Sequence, residues 1–103
     1  MTTSISYFCD TPAIQTAQNL WGKWFETLSL GDRYQLIEFL SSSARYLIDN
    51  GDCDLGYHSR LLYNWNNPDI ESWLDNLNGE ISQVDQLNGL IQGISQGLSY
   101  EYE

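Results

Sequence analysis

The sequence predicts an all-α protein, a single small domain over residues 1–103 with four to five helices packed as an irregular bundle. Apolar residues recur at spacings of three and four over most of the chain, which is typical of amphipathic helices. Both prolines follow residues that cap helices, and proline favours the first helical position. The chain is 42% hydrophobic and 14% aromatic, which is enough to order one core.

The first predicted helix runs from Asp10 to Leu28. It begins at Asp10 or Thr11, because Pro12 suits the first helical position. Gly22 weakens this helix slightly, since glycine costs about 1 kcal/mol relative to alanine inside a helix. The apolar stripe of the helix contains Ile14, Ala17, Leu20, Trp21, Trp24, Phe25 and Leu28. Residues 1–9, which precede it, are expected to form a loose arm or a short strand.

Two further helices are predicted over residues 32–50 and 54–66. The first of these starts after Gly31 and ends before Gly51, where glycine tolerates the left-handed conformation that stops a helix. Its apolar positions are Leu36, Ile37, Leu40, Ala44, Leu47 and Ile48. Those of the following helix are Leu55, Leu61, Leu62 and Trp65.

The last two helices are predicted over residues 68–78 and 80–98. Asn67 can cap the first of them, and Pro68 can occupy its first position. Apolar residues keep helical spacing through the second, with a kink at Asn88-Gly89 as one option. The Asn-Gly pairs leave a hairpin as the alternative, because Asn-Gly favours tight turns. Residues 99–103 are expected to form a flexible acidic tail.

The charge balance is strongly acidic, with four basic residues, fourteen acidic residues and a net charge of −10. This balance excludes direct binding to nucleic acid or to an anionic membrane, because both require lysine and arginine to neutralise phosphate. No stretch reaches the ~18 apolar residues that a membrane span requires. The N terminus lacks the basic and apolar segments of a secretory signal, so a cytoplasmic location is expected.

Residues suited to nucleophilic or metal chemistry gather at one place, where Cys53 and His58 lie close to Asp52 and Asp54. A cysteine beside a histidine can act as a nucleophile with its base. No third group that would orient the histidine is identifiable, and no set of metal ligands is complete. An ordinary thiol and a surface histidine are therefore expected. The chain is predicted not to be an enzyme and to need no metal or cofactor.

Acidic residues without basic partners mark the last part of the chain. All four basic residues lie within residues 1–60, whereas residues 61–103 contain seven acidic residues. Helical spacing directs these carboxylates away from the apolar stripes, which predicts a negative partner-binding surface. Its members are Asp69, Glu71, Asp75, Glu80 and Asp85. Trp65 and Trp73 flank the turn at Pro68 and are predicted to be exposed there as anchors for the partner.

The function expected from this surface is non-enzymatic docking on a protein with a basic surface. Such surfaces often hold nucleic acid, so the sharper hypothesis is an inhibitor of the anti-CRISPR, anti-restriction or nucleic-acid-mimic type, which rests on charge and size. The alternative is a helical adaptor or an assembly or regulatory subunit. Gly89, Gly93 and Gly97 recur every four residues and would form either its homodimer interface or an internal packing seam.

Overall fold

A computed structural model describes residues 3–100, apart from the side chains of residues 60–62. This part of the chain forms five α-helices and one short 3-10 turn, without a strand, so the all-α prediction is confirmed. The turn spans Ile5–Tyr7, and the helices are α1 Pro12–Trp21, α2 Leu30–Asn50, α3 Leu55–Leu62, α4 Pro68–Asn78 and α5 Val84–Tyr100. Within the described residues, no helix has both the length and the apolar character that crossing a membrane requires.

Side-chain caps define the starts of four helices. Thr11 accepts a hydrogen bond from the N–H of Ile14 at α1, and Asn67 accepts one from Asp69 at α4. Ser29 and Asp54 do the same at α2 and α3. Each such cap contributes about 1 kcal/mol by satisfying a backbone N–H that has no partner within the helix. The starts predicted next to the two prolines are confirmed, and α2 begins two residues earlier than predicted because Ser29 is its cap.

The first helix is shorter than predicted. It ends at Trp21, because Gly22 adopts a φ of +96° that an α-helix cannot contain. The chain then folds back, and the carboxylate of Glu26 accepts hydrogen bonds from the N–H groups of Lys23 and Trp24 at 3.1 and 3.2 Å. This turn also moves Phe25, at a φ of +61°, fully into the core. Phe25 and Leu28 are therefore core residues of a turn and not of a helix, and Trp24 packs partly buried against that core.

The last helix begins at Val84, four residues later than predicted. The side chain of Gln86 explains the later start, since its Oε1 accepts hydrogen bonds from the N–H groups of Ser82 and Gln83 at 3.0 and 3.2 Å. This is the backward contact of a capping box. The helix runs through Asn88 and Gly89 without interruption, so neither the kink nor the hairpin occurs.

The N-terminal residues 3–9 are packed, which corrects the prediction of a loose arm. The side chain of Ile5 is fully buried, and its N–H donates to the carbonyl of Lys23 at 2.8 Å. The N–H of Thr3 donates to the Tyr100 hydroxyl at 2.9 Å. Of the predicted flexible tail, residues 99 and 100 belong to α5, and residues 101–103 lie outside the described part of the chain.

The helices pack mainly in two groups. In one group, α5 lies along α2 and also packs against the N-terminal 3-10 turn. In the other group, α4 packs against both α3 and α1. Aromatic rings join the core of α1 and α4: Trp21, Phe25 and Trp73 meet edge to face, with centroids 5.3 to 5.6 Å apart. Such contacts are favourable beyond the apolar area that they bury.

Candidate functional site

Neither of the predicted tryptophan anchors is exposed. Trp73 is 3% exposed and donates from Nε1 to the carbonyl of Ala13 at 2.9 Å. Trp65 is also buried, and its Nε1 donates to Oγ of Ser59 at 2.6 Å. Both indole N–H groups thus find partners inside the protein. The prediction that these two residues anchor a partner is wrong.

The glycine stripe of α5 is an internal packing seam. A Cβ at Gly89 would clash with the carbonyl oxygen of Phe8. One at Gly93 would lie 3.2 Å from the Phe8 ring, and one at Gly97 would lie 3.0 Å from Cβ of Trp24. Because the N-terminal segment and the turn after α1 already cover the stripe, it cannot serve as a homodimer interface. Of the two predicted roles for the stripe, the packing seam is the correct one.

The acidic residues predicted to share one surface are spread over several parts of it. Asp69 is exposed on the side of α4 that faces α1, where it lines a shallow cavity of about 140 Å³ with Thr16 and Leu20. Asp75 lies against α3, because a Cβ at Gly56 would clash with its carboxylate. Glu71 precedes Asp75 by one helical turn and shares its side of α4.

Glu80 belongs to the predicted acidic surface, but its carboxylate makes a hydrogen bond within the protein. Its Oε2 accepts a hydrogen bond from the N–H of Ala13 at 2.9 Å. The carboxylate therefore lies at the positive end of the α1 dipole, and the first turn of α1 has no acidic residue of its own. Asp85 remains exposed in the first turn of α5. These five carboxylates do not form one continuous face.

A different set of residues converges between α2 and α3. The structure brings Sγ of Cys53 to 3.5 Å from Nδ1 of His58, so the pair that is only near in sequence is in contact in space. Ser43, from the middle of α2, also hydrogen-bonds the Cys53 thiol. The loop between the two helices directs Cys53 inward, and Asp54 caps α3 so that His58 lies one turn into it.

A cavity of about 170 Å³ opens beside this pair. We call it the α2–α3 cavity, and its lining residues are Phe39, Ser42, Ser43, Tyr46, Cys53 and His58. A second cavity, of about 180 Å³, lies on the other side of Cys53 and reaches Leu47 and Leu87. Cys53 thus forms a wall between two cavities and is half-buried.

Aromatic rings surround the mouth of the α2–α3 cavity. The ring centroids of Tyr46 and His58 are 4.5 Å apart, and those of Tyr57 and His58 are 5.7 Å apart. The two tyrosines are 42% and 55% exposed, respectively. Sequence analysis missed both of them. The signal available was that each lies off the apolar stripe of its helix, which marks an aromatic side chain directed towards solvent.

Three carboxylates lie near the α2–α3 cavity without lining it: Asp52 lines the second cavity, on the other side of Cys53, and the charges of Asp52 and Asp54 act on the Cys53 thiol. Asp49 is exposed beside Tyr46, where both residues line a further shallow cavity together with Arg45. Burial raises the pKa of the Cys53 thiol, the hydrogen bond from Ser43 opposes the shift, and the charges of Asp54 and Asp52 raise it further. The thiol is therefore protonated at neutral pH. We call the cavity with its neighbouring tyrosines and carboxylates the α2–α3 site; these residues are Tyr46, Tyr57, Asp49, Asp52 and Asp54.

The α2–α3 site is suited to bind a group that is partly apolar and partly cationic. Its cavity supplies apolar contacts, and its exposed rings and carboxylates attract positive charge. Among the described residues, no three His, Cys, Asp or Glu side chains come close enough together to hold a metal ion. Comparison of this chain with protein families, with curated proteins and with solved structures found no match.

Proposed function

We propose that this protein is a non-enzymatic binding protein that docks on a basic surface of another protein through the α2–α3 site. The observation that carries this proposal is an apolar cavity with exposed Tyr46 in its wall, exposed Tyr57 against His58, and the charges of Asp52 and Asp54 acting on Cys53. Tyrosines are enriched among the residues that dominate protein interfaces, because they combine a large apolar ring with a polar hydroxyl.

The size of the α2–α3 cavity favours a side chain over a free small molecule. Its volume of about 170 Å³ is below the roughly 300–1,000 Å³ typical of small-molecule sites. One apolar side chain of a partner would fill it. Ser42, which is exposed, supplies a hydroxyl at the wall that can meet the partner backbone.

The charge around the cavity identifies the neighbouring group on the partner. Asp49 lines the shallow cavity that shares Tyr46 with the α2–α3 cavity, and the charges of Asp52 and Asp54 act on Cys53 at its wall, so a lysine or arginine next to the apolar side chain would be attracted there. The net charge of −10 would speed the encounter with a basic surface over a longer range. Exposed Asp69 and Asp85 contribute to that field without lying at the site.

A basic surface with this chemistry is the kind that holds nucleic acid. We therefore propose, as the sharper form, that docking blocks such a surface and that the protein acts as an inhibitor of the nucleic-acid-mimic type. This form predicts that DNA or RNA and this protein compete for a partner captured from the source cells. Simultaneous binding of both would restrict the proposal to docking alone.

Synthetic peptides test the docking directly. The probe is a nonapeptide with a central Arg-Leu pair, compared with versions carrying Arg-Ser, Ser-Leu or Glu-Leu, titrated into labelled protein and followed by NMR. We expect shifts at Tyr46, Tyr57 and His58 for the Arg-Leu peptide, at least 10-fold weaker binding for the others, and weakening with salt. Equal binding of all four peptides, or shifts elsewhere on the surface, would contradict the proposal.

Charge-reversal variants compare the α2–α3 site with the remaining acidic surface. Asp49→Lys and Asp52→Lys are expected to abolish binding of the Arg-Leu peptide. Asp69→Lys and Asp85→Lys carry the same change in total charge away from the site and serve as matched controls. These controls should lower only the association rate. If both pairs weaken binding equally, the total charge is responsible and the site is not.

A further inference from the structure

The thiol of Cys53 lies at the wall of the α2–α3 cavity, where one arm of a small disulfide, comparable in size to a side chain, can reach it. We propose that Cys53 is a covalent modification site that undergoes thiol–disulfide exchange with small uncharged or cationic disulfides, with His58 accepting the thiol proton. The geometry that supports this is the 3.5 Å contact between Sγ and Nδ1 at the wall of the cavity. This inference does not rest on the proposed docking, but the disulfide and the partner side chain would occupy the same cavity.

The exchange is balanced without a further oxidant. The proton of the Cys53 thiol passes to Nδ1 of His58 while Sγ attacks one sulfur of the incoming disulfide. A bond forms between Sγ and that sulfur, and the disulfide bond of the reagent breaks. The electron pair leaves with the second sulfur as a thiolate, which then takes up a proton from the imidazolium or from water.

A neighbouring base is needed at this position because the thiolate is disfavoured there. Burial and the charges of Asp54 and Asp52 hold the thiol in its protonated form. When the proton moves to His58 during the attack, negative charge does not accumulate beside the two carboxylates. The Ser43 hydroxyl and the Tyr46 ring line the same cavity as the thiol, and Arg45 and Asp49 line the neighbouring shallow cavity.

The same carboxylates select the reagent. An anionic disulfide that enters the cavity approaches Asp52 and Asp54 and is repelled, whereas an uncharged or cationic one is not. Phe39 and Tyr46 line the cavity and favour an aromatic or aliphatic group. Small uncharged aromatic disulfides fit both requirements.

Cys9 provides a matched control within the same chain. It is buried, and its Cβ lies in contact range of the seam at Gly89. Burial and the charges of Asp10 and Glu80 raise the pKa of its thiol, as at Cys53. The two thiols therefore share a similar electrostatic setting and differ in access and in the neighbouring imidazole.

Reaction rates test the modification. The variants Cys9→Ser and Cys53→Ser each keep one thiol, and each is mixed with uncharged 4,4′-dithiodipyridine or dianionic 5,5′-dithiobis(2-nitrobenzoate). Rates are divided by those of the same variant unfolded in urea, which removes the intrinsic reactivity of the reagent. For the uncharged reagent we expect Cys53 to react at least 10-fold faster than Cys9. At Cys53, the normalised rate should also be at least 10-fold higher for the uncharged reagent than for the anionic one.

The role of His58 is tested by the pH profile. In a Cys9→Ser background, His58→Gln should slow exchange about 10-fold at pH 7. The difference between this variant and its parent should shrink as the pH rises, because more of the thiol then ionises without the base. Tyr34→Gln changes an exposed tyrosine near the start of α2, outside the lining of the cavity, and should have no effect at any pH. Peptide mapping of the wild-type protein checks which thiol reacts first. Faster modification of Cys9, or equal rates for both reagents, would overturn the inference.

Discussion

The seam along α5 and the α2–α3 site differ in how closely a helix surface is packed. Along the seam, glycines let the N-terminal segment approach so closely that a single added carbon at Gly89 would clash with a backbone carbonyl. At the α2–α3 site, larger side chains on α2 and α3 leave a cavity unfilled and two tyrosines in solvent. The seam therefore stabilises the fold, whereas the α2–α3 site is free to bind a partner.

The largest expected difference between the two regions is in the cost of removing a side chain. Ile5→Ala truncates a fully buried side chain at the seam and should lower the free energy of unfolding by about 2–5 kcal/mol. Tyr57→Ala removes a larger but exposed side chain at the site and should change it by less than about 0.5 kcal/mol. Urea unfolding followed by tryptophan fluorescence measures both. Similar costs would show that the two regions do not differ in this way.

A smaller effect is expected when a side chain is added to the seam. Gly89→Ala forces the carbonyl of Phe8 to move, so a loss of about 1–3 kcal/mol is expected. The control is Gly31→Ala in α2, where the nearest atom to the added carbon is 4.0 Å away. That change should stabilise the protein by up to about 1 kcal/mol, because alanine is the better helix former. The difference between their urea midpoints tests whether close approach is the reason for the glycine.

Variants of Glu80 and Asp52 compare an acidic residue that stabilises the fold with one that is proposed to bind the partner. Glu80→Ala removes the acceptor of the Ala13 N–H at the start of α1 and should cost about 1–2 kcal/mol. Asp52→Ala at the α2–α3 site should leave stability within about 0.5 kcal/mol and weaken binding of the Arg-Leu peptide instead. If Glu80→Ala weakened peptide binding without loss of stability, the division between the two regions would be wrong.

The smallest effect concerns pH. The pKa values of Cys9 and Cys53 are raised above the usual 9.0, in both cases mainly by burial. The folded state therefore keeps its thiol protons at a pH where the unfolded chain has lost them. This contribution is complete below about pH 9 and is lost as the pH rises through the raised values. The free energy of unfolding should fall less steeply between pH 8 and 10 in the Cys9→Ser and Cys53→Ser variants than in the wild type.

Local signals predicted the helices well where a cap or a proline set the boundary, as at Thr11 and Asn67. The helix boundaries next to Glu26 and Gln86 were missed. These side chains accept hydrogen bonds from backbone N–H groups that precede them in the chain, and the spacing of apolar residues does not show such bonds. For the candidate site, the proximity of Cys53 and His58 in the sequence was noted, but the two were expected to be an ordinary thiol and a surface histidine. The cavity beside them was not predicted, since Phe39 and Ser43 come from another helix.

The sequence by itself determined the all-α class, most helix starts and the acidic balance, because these depend on neighbouring residues and on composition. Only the tertiary structure decided which surfaces are covered. Periodicity indicates that Trp73 or Gly93 lies on one face of a helix, but the contacts that bury them come from residues about 50 or more positions away. For the same reason, the exposed acids and rings of the α2–α3 site could be recognised only after the helices had packed.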